Sequence, residues 1–480
     1  MAKKAVGSNA GQKIGENLKL IGDAYERDDC ATVLTLGSPI IDSPNRSGLT
    51  DDIAALLFQM AGYCELKQGS KDRAYSHALK GTALDAASDY LWRMRLGLEM
   101  DLKRDEAALA TILAMTQGRG AALNSVDVGW MWQFSRSLKE AGKQDVRRRL
   151  LQLLAGQFYA PDELFGSNEG FRYAYAETLA DAGDSAGASA IIGGLRSTSI
   201  LSKASVDPRF RAFLPASFDF RAAGEAELAR DREVMAIHPD RLAAIINAAD
   251  TLRMLGRPQE AIDLLLAAGP RVADQKEFAD RDDSFNWYWD ALGRSYEMLG
   301  RYDEMVAAFT KGAQHAEGSN PNVSQVINLA HAQYGLGRGD DALRTISAFA
   351  DGRKGSPYGE MEMRLARGCA NAVAGRPAEA AADLAFAREH EKDHPEALAD
   401  LLLCMGDMDG AAAAFIRRLE DPDRRADALL QLSDYDDPPF ARPSHPIHSR
   451  LGALKGRPDV KAAIEKAGGT RRFRLQRGEL

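Results

Sequence analysis

Cysteine is scarce: Cys30, Cys64, Cys369 and Cys404 are the only four in 480 residues, far apart and with no CxxC pair among them. That excludes a paired-cysteine zinc site or dithiol redox motif, and within helical patterns it predicts reduced core thiols. Long apolar runs are missing too. No stretch approaches about 18 uninterrupted apolar residues, which argues against a spanning helix. The opening MAKKAVGSNAGQKIG has the adjacent lysines Lys3 and Lys4 but no apolar segment behind them, so it does not read as a secretory signal. A cytoplasmic protein without membrane insertion is the expectation. Positive charge is in deficit, with a net charge of -8. A general nucleic-acid binder needs a basic face to displace counterions from phosphate, so that class is disfavoured. Strand-like stretches are nearly absent, and there is no GxxxxGK[ST], GxSxG or strand-borne GxGxxG. No cofactor is expected.

What is present is a repeated pattern. In NWYWDALGRSYEMLGRYDEMVAAFTKGAQHAEG, residues 286–318, Trp289, Leu292, Gly293 and Tyr296 fall on one helical stripe. Gly300 then breaks the helix where a left-handed residue is needed, and Met305, Phe309 and Gly312 mark a second helix that folds back on the first. Phe58, Ala61 and Gly62 stand in the same way before Gly69, with Ala74, Ala78 and Gly81 after it. Further breaks fall at Gly142, Gly183, Gly256, Gly337, Gly375 and Gly406, with a degenerate one near Lys103. At 480 residues the chain is too long for one compact core, and hairpins that each bury one face must stack to complete one another. The pattern lapses at 197–220, in SILSKASVDPRFRAFLPASFDF. The helix that follows is expected to end at His238 and Pro239.

Trp289, Leu292, Gly293, Tyr296 and Phe309, with Ala261, Ala342, Ala380 and Ala411 opening second helices, resemble the tetratricopeptide repeat. The resemblance covers roughly residues 50–420 and implies an all-α, right-handed superhelical solenoid of antiparallel helix pairs, about nine to eleven hairpins. The expected organisation is a disordered N-terminus (1–15), an N-terminal array (16–205), an interrupting hinge (206–222), a C-terminal array (223–432), and a Pro-rich loop, capping helix and basic tail (433–480).

The sharpest enzymatic motif is His390, Glu391 and His394 in REHEKDHPEAL, formally HExxH. A zinc protease needs both histidines on one helical face. Here Lys392 and Asp393 are charged and Pro395 follows at once, so a solvated helix end is expected and a metal-dependent hydrolase is the weakest hypothesis. Arg147, Arg148 and Arg149 read as the solvated side of a helix. The tail TRRFRLQRGEL, with four arginines around Phe473, reads as a docked terminus, with anion binding as the alternative.

Binding positions follow from phase. With Trp289 and Tyr296 assigned to the core, the next stripe, Asp290, Arg294 and Glu297, faces the concave groove. The same phase selects Tyr63, Trp132, Arg136, Lys139, Tyr173 and Glu177 in the first half, and Asp250, Arg253, Ile327, His331 and Tyr334 in the second. Trp132 and Tyr173 read equally as packing between hairpins. Aromatics and arginine carry contact energy, so a protein or peptide partner is expected, and the chain reads as a non-catalytic interaction scaffold. The alternative is a regulatory module holding a small molecule or signalling peptide between two arrays. Some members of this repeat class clamp a terminal carboxylate with lysine and asparagine on the groove face. Asp290 and Arg294 stand at the matching positions, which does not support that mode.

Overall fold

At each predicted break the chain turns through a left-handed residue. The computed structural model describes residues 2–43, 49–161, 164, 168–274, 276–315, 322–347, 356–436 and 445–477, with backbone alone for 2–13. Gly69, Gly142, Gly183, Gly256, Gly300, Gly337, Gly375 and Gly406 have φ between 70 and 82°. Asp28 (φ 61°) and Lys103 (φ 55°) take the same place in two further turns. In seven of these eight glycine turns the residue after the glycine closes the turn. The Arg301 amide donates to the Tyr296 carbonyl at 3.0 Å, and Lys143 to Leu138, Arg257 to Leu252 and Arg338 to Gln333 repeat that bond at 2.9 Å. This satisfies carbonyls that a helix end otherwise leaves unpaired.

The chain forms two compact units, Met1–Gly183 and Asp184–Leu480. The first holds α1 (Ala2–Glu26), α2 (Cys30–Ile41), α3 (Asp51–Lys67), α4 (Lys71–Thr82), α5 (Asp89–Asp101), α6 (Asp105–Thr116), α7 (Gly120–Asn124), α8 (Val128–Glu140), α9 (Gln144–Leu154) and α10 (Glu169–Asp181). The stretch expected as a disordered lead-in falls inside α1: its alanines, lysines and glutamine are good helix formers even without an apolar stripe. Ile21, Val33, Ile40, Phe58 and Ala61 form one core, and Leu109, Ile112, Met131, Phe134, Leu151 and Phe171 another.

The second unit holds α11 (Ser185–Gly193), α12 (Thr198–Val206), α13 (Phe220–Ile237), α14 (Leu242–Met254), α15 (Pro258–Ala273), α16 (Arg281–Met298), α17 (Tyr302–Ala313), α18 (Val323–Gly335), α19 (Gly339–Ser347), α20 (Pro357–Val373), α21 (Pro377–Glu389), α22 (Pro395–Met405), α23 (Met408–Glu420), α24 (Arg425–Gln431), α25 (Pro446–Gly456) and α26 (Pro458–Lys466). As expected, α13 ends at Ile237, with His238 as its cap. In the pair α16 and α17, a Cβ at Gly293 would stand 3.1 Å from the Phe309 ring, so glycine there lets the two helices close together.

Helix α25 is a departure from the expected Pro-rich loop. Pro446 occupies the first helical turn, where the missing amide donor costs nothing. Residues 437–444 of that loop lie outside the described residues. The segment expected as a hinge, 206–222, lies within the second unit and is packed there. Phe210 is fully buried, and the Arg211 guanidinium donates to the Gly469 carbonyl at 3.1 Å.

The thiols expected to be reduced are paired. Cys30 bonds to Cys64 and Cys369 to Cys404, at sequence separations of 34 and 35. The distance that looked like remoteness in sequence is one repeat period, which sets neighbouring hairpins side by side. Their Cα atoms come within 5.0 and 5.4 Å, inside disulfide reach.

Candidate binding cavity of the second unit

The helices that open successive hairpins, α16, α18, α20 and α22, each put one side of their surface on a cavity of about 490 Å³. Their register explains why. Arg294, His331 and Asp400 each stand six residues before a left-handed glycine, Gly300, Gly337 and Gly406, so stacking brings the same phase of each helix to one place. Tyr358 and Glu362 join them from the N-terminal part of α20, Arg418 from α23 and Gln431 from α24.

The polar groups are linked across hairpins. Arg294 Nε donates to Asp290 at 2.6 Å, and the other Asp290 oxygen accepts from the Asn328 amide at 2.9 Å. His394 Nε2 lies 2.5 Å from Glu362 Oε1, its Nδ1 lies 3.5 Å from Glu396, and Tyr358 stacks on its ring at 4.4 Å. Arg418, only 3% exposed, donates to Glu396 at 3.0 Å and to Gln431 at 2.8 Å. Gln431 in turn donates to Asp400 at 3.1 Å.

Burial governs the protonation equilibria. It pushes Asp400 up to about 6, against the pull of Arg418 and Gln431. It holds the His331 imidazole below its ordinary value, and Tyr334, 1% exposed, well above the usual 10. Burial also acts to raise Glu362, but the His394 hydrogen bond and the adjacent imidazoles outweigh it and leave that carboxyl low.

Of the phase-selected residues, Arg294, Glu297, His331 and Tyr334 line this cavity, and Asp290 stands behind Arg294. Ile327 is buried. Asp250 is exposed and pairs with Arg253 at 2.6 Å, away from the cavity lining. The residues selected in the first half belong to the first unit. There Trp132 stacks on Phe171 at 4.1 Å and Tyr173 is 5% exposed, so both are packing residues. Tyr63 packs edge-on against Tyr25 with Lys67 over its ring, Arg136 is exposed, and Lys139 and Glu177 are half-buried. Glu396 and Asp400 were legible by counting back from Gly406 as from Gly300. Glu362 and Tyr358 lie thirteen and seventeen residues before Gly375, one and two turns N-terminal to the counted stripe, and were not selected.

The HExxH residues are divided between elements. α21 ends at Glu389, His390 caps it, and His394 caps the start of α22. Glu391 pairs with Arg417 at 2.7 Å, and His390 turns to Asp393 at 3.3 Å. The two histidines share no helical face. Among the described residues no cluster of His, Cys, Asp and Glu is placed to hold a metal ion, and no helix is long and apolar enough to cross a membrane.

The tail is docked. Phe473 is fully buried against Phe220 and Tyr435, and Arg471 donates to the Ser205 and Pro215 carbonyls at 3.0 Å and to that of Leu214. Arg477, on the cavity wall, donates to the Gln431 carbonyl at 2.7 Å.

No family model matches the chain, and no curated protein matches it in sequence. Among solved structures it is similar to a chain in the crystal structure of the APC/C hetero-tetramer Cut9-Hcn1. The identity is 13% and the TM-score 0.30, covering 94% of this chain and 96% of that one. Among the described residues, helix pairs joined through left-handed turns at near-regular spacing form an all-α helical-repeat fold.

Proposed function

We propose that the protein is a non-catalytic interaction module that takes a protein or peptide partner, with the cavity of the second unit as its recognition site. The carrying observation is the shared phase: Arg294, His331 and Asp400 reach one cavity from three of four consecutive hairpins, and Glu362 reaches it from the remaining one. A repeat array that aims equivalent positions at one place reads a ligand residue by residue. Exposed Arg136 in the first unit occupies the same phase and belongs to a second, separate face.

The test is selection of a random peptide library against the full chain, followed by titration of enriched peptides. Tyr358, 56% exposed on the cavity rim, can be truncated with little cost to folding. Tyr358→Ala is expected to weaken binding about tenfold, the loss typical of an aromatic contact residue. Unchanged affinity would remove the cavity as the recognition site. A second reading is a sensory module for a small molecule. Its support is the volume of about 490 Å³, which falls in the range of small-ligand sites.

A further inference from the structure

The cavity wall carries five carboxylates (Glu297, Glu362, Glu396, Asp400 and Asp427) against three guanidiniums. The guanidiniums are engaged: Arg294 with Asp290, Arg418 with Glu396 and Gln431, and Arg477 with the carbonyls of Gln431 and Ser433. Asp427 is paired with Lys203 at 2.7 Å and Glu362 with His394. Asp400 has only the neutral Gln431 amide as a hydrogen-bond partner. A carboxylate in that position meets no full counter-charge at hydrogen-bond distance.

Two observations independent of the acidic excess point to a missing guest. Tyr334 is 99% buried by its 1% exposure and lines the cavity, yet its hydroxyl makes no hydrogen bond to any described residue. The Nε2 of His331, one turn earlier on α18 and also on the wall, is buried without a partner. Buried polar groups in folded proteins are as a rule satisfied, so groups left open toward a cavity mark where a ligand supplies the other half. The fields of Asp400 and Glu362 both reach the Tyr334 phenol. Tyr334, Glu362 and Asp400 line the same cavity, so the open hydroxyl and the acidic excess face one space.

We propose that this subsite takes a cationic nitrogen, an ammonium or guanidinium group, held by Asp400, with the Tyr334 hydroxyl accepting a hydrogen bond from it and the carboxylate of Glu362, itself paired with His394, adding its negative charge to the wall. An anion would meet the acidic excess and guanidiniums already in use. A neutral group would leave Asp400 without a counter-charge. The aromatic faces of Tyr334 and Tyr358 suit a cation as well. The proposal rests on the cavity being a recognition site. The cation is carried either by a lysine or arginine side chain of a peptide or by a free organic amine.

The experiment is calorimetric titration of the full chain with three probes: end-blocked Ala-Lys-Ala, its norleucine counterpart, and spermidine. Each is run on the wild type and on Asp400→Asn, Glu362→Gln and Tyr334→Phe, with circular dichroism melts confirming that each variant is folded. A cationic probe is expected to bind at least about tenfold more tightly than the norleucine peptide, and each carboxylate variant to lose about tenfold or more of that affinity. Equal binding of norleucine and lysine peptides, or full retention of affinity in both carboxylate variants, overturns the proposal. The two readings fail separately. Tyr358-sensitive library peptides without basic residues would sink the cation subsite and leave the peptide module standing. Binding of spermidine but of no peptide would do the reverse.

Discussion

Asp400 shows what a single residue discloses here. Its carboxyl is pushed up to about 6 by burial, so the folded chain holds that proton more tightly than the unfolded chain, where the value is near 3.8. The contribution to stability is therefore intact below about pH 4 and is lost as pH rises through 6. Asp400→Asn is expected to match the wild type below pH 4 and to exceed it well above pH 6 by roughly 3 kcal/mol, the cost of holding that carboxylate ionised. Urea unfolding of both proteins across pH 4 to 8 measures the difference. A constant offset would mean that the residue acts by packing alone. A substitution that raises stability while it lowers ligand affinity is the signature of a group kept for binding. Arg294, His331 and Tyr334 were legible in the sequence because phase is a local property of a helix. Glu362 was not, because it stands thirteen residues before Gly375, one turn N-terminal to the counted stripe.

Among the elements, the basic tail is the clearest case of a structural role with a charged sequence. Phe473 sits between Phe220 and Tyr435, while Arg471 caps carbonyls of residues 205, 214 and 215. The Asp434 amide donates to the Arg471 carbonyl at 2.9 Å, and the Phe473 amide donates to the Asp434 carbonyl at 2.8 Å. Phe473→Ala leaves a cavity in that junction and is expected to destabilise the second unit by about 3 kcal/mol, read as a lowered denaturation midpoint. No change would show the tail to be an ornament on the surface. The HExxH turn makes the complementary point. A motif is defined by spacing in sequence, but its chemistry needs both histidines on one helix, and Pro395 starts a new helix directly after the second.

For the whole molecule, the boundary between units falls at residues 183 and 184 rather than at the lapse in the repeat pattern. The segment 197–220 was expected as a hinge because it lacks helical period. Yet α12 lies within it, α13 begins at its end, Phe210 is fully buried, and the tail bonds to it. Limited proteolysis is therefore expected to leave 197–220 uncut while the second unit is folded, with the chain opening elsewhere first. An early cut within those residues would restore the hinge and detach α12 from its partners.

The repeating helix pair, its turns and the phase of each stripe were determined by the sequence alone, because helix periodicity and the left-handed preference of glycine act within a few residues. The distant encounters were decided by tertiary structure. Cys369 meets Cys404, His394 meets Glu362, Asp400 shares a wall with Tyr334, and the tail closes on residues 205–220. Each of these depends on how hairpins stack, and stacking is set by the sum of many side-chain contacts between repeats. No short stretch of the chain contains that sum.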